Sequence, residues 1–248
     1  MRSRWLILST EKLLDRINGS VENSSRIYLE EWLKTVADVI EPHCLVLDAG
    51  SGEGMYRHLF GRVSYESADF CKVAKLYVKP TYVCDLAKIP VEDERYDVVI
   101  CTQVLEHVPE PIEVLKEFYR ILKPGGKLFL SAPLFFEEHE QPYDFYRYTQ
   151  FGLANLLTTV GFRVSSIEWL EGYYGTLSYQ MNIAARSLSM REEMYGHGIR
   201  GHLLLLFLQG LRIQFALLAA FFSRLDVSYK HASKGMCKNY RCVSVKPV

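Results

Sequence analysis

Residues 44–56 read CLVLDAGSGEGMY, and this stretch decides the fold. Cys44 to Gly50 is a short apolar run that closes on an acid and a glycine, the form a buried parallel strand takes at its carboxyl end. Gly50, Gly52 and Gly54 then recur at alternate positions. Glycine lets backbone come close to a ligand, and in open α/β sheets the ligand crevice lies outside the carboxyl ends of the strands. A nucleoside triphosphate loop needs a lysine and a Ser or Thr after its last glycine, and none follows Gly54. A dinucleotide turn needs G-x-G-x-x-G, but counted from Gly50 its third glycine falls on Met55. Both ligands also carry phosphates, which a carboxylate at the strand end repels. A cationic ligand without phosphate suits Asp48.

Outward from this loop, strands alternate with helices. RIYLEEWLKTVADVI (26–40) predicts a helix with Ile27, Trp32, Val36 and Val39 on its apolar face and Ser24 or Ser25 as cap. The glycine loop is expected to lead into a helix. VSYESAD (63–69), YDVVICT (96–102), KLFLSAP (127–133) and FRVSSIEWL (162–170) predict strands. PIEVLKEFYRIL (111–122) predicts a helix with Pro111 in its first turn, stopped by Pro124-Gly125-Gly126. TQFGLANLLTTV (149–160) predicts another, capped by Thr149 and ended by Gly161. The alternation implies a parallel sheet covered on both faces. NYRCVSVKP (239–247) reads as one last strand.

The chain has 248 residues, 49% hydrophobic and 23% charged, which is globular composition. Its net charge is zero, so no global field draws it to nucleic acid. The six cysteines form no CxxC pair and read as free thiols of a reducing cytoplasm. The opening MRSRWLILSTEKLLDR has too short an apolar run for a signal peptide.

VLDAGSGEG, YVCDLAKIPVEDERYDVVICTQVLEHVPEP and EFYRILKPGGKLFLSAP, in this order and spacing, resemble the class I S-adenosylmethionine-dependent methyltransferases over roughly residues 44–170. EHEQPYDFYRYT (138–149) and the following GLANLLTTVGF are similar to a bacterial subgroup often associated with modifying glycans and secondary products. The resemblance implies an α/β fold: a Rossmann-like, seven-stranded, mostly parallel sheet with helices on both faces. Its last strand is antiparallel and follows a helical insertion. It divides the chain into an N-terminal helical segment (1–43), a cofactor-binding core (44–170), a lid-like apolar insertion (171–238) and a final strand (239–248). It implies S-adenosyl-L-methionine as cofactor. Asp48, Gly50, Ser51, Gly52 and Gly54 would form the loop for its methionine end, and Asp69 would take the ribose hydroxyls. Asp85 and Leu86 would read the adenine, and Thr102 and Gln103 would meet the methionine amino group. Each acid also has a plainer reading as a solvated loop carboxylate.

Two loops open onto the same edge. QVLEHVPEP (103–111) brings Glu106 and His107; EHEQPYDFYRYT brings His139, Tyr143, Asp144, Tyr146, Arg147 and Tyr148. Either histidine titrates near neutrality and suits a general base, with Asp144 fixing its tautomer. Arg147 suits a bidentate grip on a substrate carboxylate or phosphate, and the tyrosines suit a ring face. No metal is the expectation. Relatives with E-x-x-E-H after this strand bind a divalent metal, but here Gln103 replaces the first acid; Glu106, His107 and His139 remain the alternative ligand set. The plain alternative is that Glu106 and His107 cap the next helix while the tyrosines cover the core.

LLLLFLQGLRIQFALLAAFF (203–222) is long enough for a bilayer span, but Gln209, Arg212 and Gln214 lie at its centre. Gln209, Arg212, Ala216, Ala219 and Ser223 form a narrow polar or small stripe on a Leu/Phe cylinder. From Arg224 onward six Lys/Arg face one acid, Asp226. Membrane-surface contact, packing on the sheet and a homodimer all remain open. The expected activity is O-methylation of a small molecule, sugar or lipid-linked glycan. A quinone or other membrane-dissolved aromatic is the alternative acceptor, and an inactive cofactor-binding regulatory subunit the alternative role. Nucleic acid is not an expected partner, and the expected location is the cytoplasm, with membrane association open.

Overall fold

The computed structural model describes residues 12–73, 78–190, 194–196 and 198–248. They form two compact units, one drawn from residues 28–170 and 238–248, the other from residues 12–27 and 171–237. The division cuts the expected 1–43 segment, because residues 28–43 belong with the sheet.

The first unit holds a seven-stranded sheet: β1 (Leu45–Ala49), β2 (Ser64–Asp69), β3 (Tyr82–Val83), β4 (Tyr96–Thr102), β5 (Leu122–Pro133), β6 (Arg163–Trp169) and β7 (Asn239–Val245). Their order is β3-β2-β1-β4-β5-β7-β6. β1 pairs in parallel with β2 and β4, and β4 with β5. β7 runs antiparallel to both neighbours, from Lys127↔Val245 to Pro133↔Asn239 on β5 and from Arg163↔Val245 to Trp169↔Tyr240 on β6.

Alternation along the strands explains the covered faces. Val98 and Ile100 of β4 join a cluster with Leu29, Trp32, Leu33, Val36 and Ile40 of the α1 region (α1 is Ser24–Val39). The intervening Val99 and Cys101 point to the other face and are equally buried. Runs buried on both faces lack polar alternation, which is why YDVVICT reads as continuous apolar sequence. Of the expected apolar face of α1, Trp32 and Val36 are buried as expected, joined by Leu29, Leu33 and Ile40, whereas Val39 is 67% exposed. Its cap also differs. The Arg26 amide donates to Asn23 Oδ1 at 3.3 Å, and Ser24 already lies within the helix.

α2 (Pro111–Ile121) starts at its proline and passes directly into β5 at Leu122, so the Pro-Gly-Gly triplet lies inside the strand. α3 (Gln150–Val160) is bounded as expected. Thr149 Oγ1 accepts from the Gly152 amide at 3.0 Å, and Gly161 takes φ 108°, which suits a residue without a Cβ. The glycine loop does not lead into an α-helix. A 3-10 turn at Arg57–Phe60 follows it, because only six residues separate Gly54 from Gly61 and β2 begins at Ser64.

The second unit is helical: residues 12–18, α4 (Tyr173–Ser187) and α5 (Ile199–Ser228). Its organising group is Asp226 of α5, fully buried at the N-terminus of α4. The Gly172 amide donates to Asp226 Oδ2 at 3.3 Å, and the Gly175 amide and Ser24 hydroxyl also bond the carboxyl. An acid there meets the positive end of the helix dipole. A Cβ on Gly172 or Gly175 would come within 2.4 and 2.5 Å of that carboxyl, so both positions need glycine for the approach. Asp226→Ala is expected to cost about 2 kcal/mol by stranding these donors, and Asp226→Asn distinctly less. Urea midpoints of the two variants check the order.

Candidate active site

The site lies at the carboxyl ends of β1, β2 and β4, where the glycine loop leaves the sheet. Gly50, Gly52 and Gly54 have φ of 83°, 51° and 65°, the left-handed region that side chains rarely enter. A Cβ on Gly50 would lie 2.3 Å from Val104 Cγ2, so the loop after β4 packs against bare backbone. The Gly50 amide donates to Ala68 O at 2.8 Å. The Gly52 amide donates to Asp69 Oδ2 at 2.8 Å, while Asp69 Oδ1 accepts from the Cys71 amide at 2.9 Å. Asp69 thus fastens the loop to the end of β2, a role additional to any ligand contact. Asp48 is buried and accepts from Tyr65 Oη at 2.5 Å. Burial pushes its pKa up to about 6, against the Tyr65 hydrogen bond and helped by nearby Asp69.

A cleft of about 410 Å³ opens here. Of the residues named from sequence, Gly50, Asp69, Asp85, Leu86, Gln103, His107 and Tyr143 line it. Asp48, Ser51, Gly52 and Gly54 are not among its lining residues. Thr102 pairs with Ser131 in the sheet, and Gln103 Nε2 donates to Ser131 Oγ at 3.1 Å. Asp85 Oδ1 accepts from the Ala87 amide at 2.9 Å, which closes a turn and presents Leu86. Among the described residues, the lining carries Asp69, Asp85, Glu110, Glu113 and Glu140 against one lysine, Lys72. Bare glycine backbone, an acid-rich wall and the apolar Leu86 fit S-adenosylmethionine, a cation without phosphate.

EHEQPYDFYRYT divides sharply. Arg147 is not a free anion grip. Its Nε donates to Phe136 O, Nη1 to Asp144 Oδ1 and Tyr146 O, and Nη2 to Asp144 Oδ2 and Glu137 O, all within 2.7–3.0 Å. All five guanidinium N–H groups are therefore spent on the loop itself. Asp144 also accepts from the His139 amide at 2.8 Å, and Arg147 above all holds its carboxyl well below the usual range. It is an ionised anchor, not an acid–base group. Tyr148 is buried, its hydroxyl donating to Leu105 O at 2.9 Å, so it cannot meet a substrate. Tyr146 Oη donates to Pro109 O at 2.9 Å and ties the two loops together. What reaches the cleft from this segment is Glu140, Tyr143 and Phe145. Neither Glu140 nor Phe145 stands out in the sequence; only the loop's path selects them.

The histidines meet as expected, with ring centroids 4.6 Å apart. His139 Nδ1 lies 3.2 Å from Glu137 O and 3.4 Å from Asp144 Oδ2. His107 Nδ1 lies 2.6 Å from Tyr143 O, and a carbonyl only accepts, so Nδ1 carries the hydrogen. That leaves Nε2 with its lone pair, 3.8 Å from Glu106 Oε1 and 3.9 Å from Glu140 Oε2. Burial lowers the His107 pKa, which keeps the ring neutral at neutral pH. Glu106 is fully buried, and neither carboxyl oxygen has a hydrogen-bond partner. Burial pushes its pKa up to about 8, against the pull of its own backbone amide and of Arg147. Glu106, His107 and His139 each bring a ligand atom within 4.8 Å of the others, and this donor set fits a divalent cation.

Comparison with known proteins gives one family: a methyltransferase-domain model matches residues 22–167. A ubiquinone biosynthesis O-methyltransferase of Xanthomonas oryzae pv. oryzae is 35% identical over 100 residues, covering 35% of this chain and 42% of the relative. One from Proteus mirabilis is 33% identical over 100 residues, covering 35% and 41%. The chain thus spans less than half the length of these curated relatives. Among solved structures, a SAM-dependent methyltransferase from Archaeoglobus fulgidus has a TM-score of 0.50 at 16% identity, covering 89% of this chain and 94% of that one. The [4+2]-cyclase SpnF has a TM-score of 0.52 at 19% identity, covering 87% and 81%. At such identities these structures share the fold alone, and a cyclase among them separates fold from chemistry.

Two measurements check this geometry. Gly50→Ala forces its Cβ into Val104 at a positive φ; it is expected to lower stability by about 1–3 kcal/mol and to remove cofactor binding in calorimetry. The second concerns pH. Glu106 has a native pKa of about 8 against 4.5 for an ordinary carboxyl. Between these values the native state keeps a proton that the unfolded chain has lost, so stability falls as pH rises across that window. Asp48 adds a fall of the same sign between 3.8 and about 6. Glu106→Gln is expected to flatten the thermal-midpoint profile above about pH 6. Parallel profiles for wild type and variant would show that Glu106 ionises freely.

Proposed function

We propose, from the premise that this chain belongs to the methyltransferase-domain family, that it moves a methyl group from S-adenosylmethionine to a ring hydroxyl of a quinone-type small molecule. The observation that carries the reading is His107 Nε2, an unprotonated imidazole nitrogen at the cleft with its tautomer fixed by Tyr143 O. The acceptor rests on the quinone-modifying relatives and on the cleft wall, where Phe70, Val108, Pro109, Tyr143 and Phe145 are apolar or aromatic. Phe70 and Tyr143 meet edge to face at 5.4 Å, a surface for a planar ring. The quinone alternative is preferred to the sugar or lipid-linked glycan because the curated relatives are named for ubiquinone biosynthesis, and the anion grip expected of Arg147 is consumed inside the loop.

When bound, the cofactor supplies a methyl carbon already activated by positive sulfur. The chain's own work is to bind, align and handle one proton. Asp69 and Asp85 offer carboxylate oxygens to hydroxyl and amine donors, and Leu86 offers an apolar surface. Phe70, Tyr143 and Phe145 hold the acceptor ring and exclude water. His107 Nε2 takes the hydroxyl proton as oxygen attacks, which lets the nucleophile develop charge without leaving it in a low-dielectric site. Glu106, neutral at pH 7, does not compete for that proton. Alignment supplies most of the gain in such a displacement.

A second reading has a specific observation behind it: the two orphaned oxygens of Glu106. A divalent cation held by Glu106, His107 and His139 would orient an acceptor oxygen and lower the pKa of its hydroxyl.

Transfer of labelled methyl from S-adenosylmethionine to a hydroxylated quinol tests the proposal. His107→Ala is expected to lower kcat by about a hundred- to ten-thousand-fold with cofactor affinity kept. Unchanged turnover in that variant removes the base. Transfer to sugars but not to the quinol removes the acceptor. Loss of wild-type turnover in EDTA, restored by magnesium or manganese, favours the cation reading. Cofactor binding with no transfer to any fraction of a cell extract favours an inactive subunit.

A further inference from the structure

Helix α5 carries an exposed apolar stripe beside an inner side of small and polar residues. Its buried positions are Gly201, Ala216, Ala219, Ala220, Ser223 and Asp226, all small or polar. They lie on the side that packs within the helical unit, where the Ser178 hydroxyl donates to Ala219 O at 2.8 Å and Arg212 Nε donates to Ala185 O at 3.1 Å. Ile213, Phe215 and Phe222 also pack within the unit, but five other large apolar residues face outward. Leu203, Leu206, Phe207, Leu217 and Phe221 are each more than half exposed. At helical spacing these five form one stripe, interrupted by Gly210 and Gln214. A helix folding in water puts its Leu and Phe inside. Small residues at the helix–helix contact with Leu and Phe outside is the arrangement that lipid favours.

The exposed charges of α5 and the segment that follows it have one sign. Between residues 199 and 237 the only acid is Asp226, which is buried. Arg200 at one end and Arg224, Lys230 and Lys234 at the other are exposed. Self-pairing along the stripe, in either direction, would set cation against cation at both ends. Negative headgroups around an apolar interior complement the pattern instead. The helix has 30 residues, about 45 Å, which exceeds the hydrocarbon thickness. Arg212 and Asp226 on its inner side also belong to no lipid-spanning helix. A helix lying in the interfacial plane fits both facts.

We infer that α5 docks this protein on an anionic lipid bilayer surface, with Leu203, Phe207, Leu217 and Phe221 entering the acyl boundary and Arg200 and Arg224 meeting the headgroups. The inference rests on the helical unit alone and holds or fails without reference to the chemistry of the cleft. The test is flotation of the full chain, without cofactor or acceptor, with vesicles of phosphatidylcholine alone or mixed with phosphatidylglycerol. The chain is expected to float with the mixed vesicles and at least tenfold less with the neutral ones. Phe207→Glu with Leu217→Glu, both outward-facing, is expected to lower the bound fraction at least tenfold while circular dichroism stays unchanged. Arg200→Glu with Arg224→Glu is expected to remove the preference for phosphatidylglycerol. Absence of wild-type flotation overturns the inference. So does a dimer in solution that the Phe207 and Leu217 substitutions convert to monomer, which would assign the stripe to a second copy. Resistance of the bound chain to alkaline extraction would replace surface docking by a span.

Discussion

The hydrogen bond from the Gly52 amide to Asp69 is the constraint on which the cleft depends. A loop with three successive alternate residues at positive φ has no regular structure of its own to hold it. In a chain where a long helix follows, that helix would fix the loop's far end; here there is only the 3-10 turn at Arg57–Phe60. The carboxylate at the end of β2 takes over that task, with Ala68 O holding the loop's first amide. Because β1 and β2 pair in register through Ala49↔Ala68, the sheet itself sets the distance over which this brace works. Val104 then closes on Gly50, so three strand ends are locked into one wall by contacts that all converge on backbone.

The acids of the site show how one residue type takes different states. Asp144 lies against a guanidinium and stays ionised. Asp48 has one phenol for a partner and titrates near 6. Neither Glu106 oxygen meets the geometry of a hydrogen bond among the described residues, and burial lets it hold its proton to about 8. Partners, more than depth, separate them, since Asp48 and Glu106 are both buried. Neutral Glu106 lies beside neutral His107 at pH 7, while Glu140, with Oε2 3.9 Å from His107 Nε2, joins Glu110 and Glu113 in an acidic lining. Such a lining draws in a cation.

The strand pattern and the bounds of α3 were legible in the sequence, because each depends on local signals: β-branched runs, a capping threonine, a glycine stop. The glycine loop was legible for the same reason. The antiparallel return of β7 was implied by the family resemblance instead. The apolar face assigned to α1 held at Trp32 and Val36 and failed at Val39, where apolar spacing alone does not show which residues the sheet covers. Arg147 and Tyr148 misled because composition shows what a side chain can bind, not whether its own neighbours have already bound it. The carbonyls of Phe136, Glu137 and Leu105 that claim them have no signature, since every residue carries a carbonyl. Glu140 was hidden for the converse reason: an acid among several becomes important only when the chain's path aims it at the cleft. The small-residue stripe of α5 was visible, but which side faced out required the structure.

The position of β7 carries a kinetic consequence. β6 has no other strand to pair with in this sheet, so it stays an open edge until β7 enters between it and β5. All the residues of α4 and α5 lie in the chain between those two strands. Closing so long a loop as a flexible coil is slow and carries an entropic penalty, which shrinks if the loop's interior is already compact. The penalty is smallest when the helical segment condenses before β7 enters, so that the half-sheet waits for it. During that wait the exposed edges of β5 and β6 are the part of the molecule most prone to pair with a neighbour, and conditions that delay helix condensation lengthen the exposure.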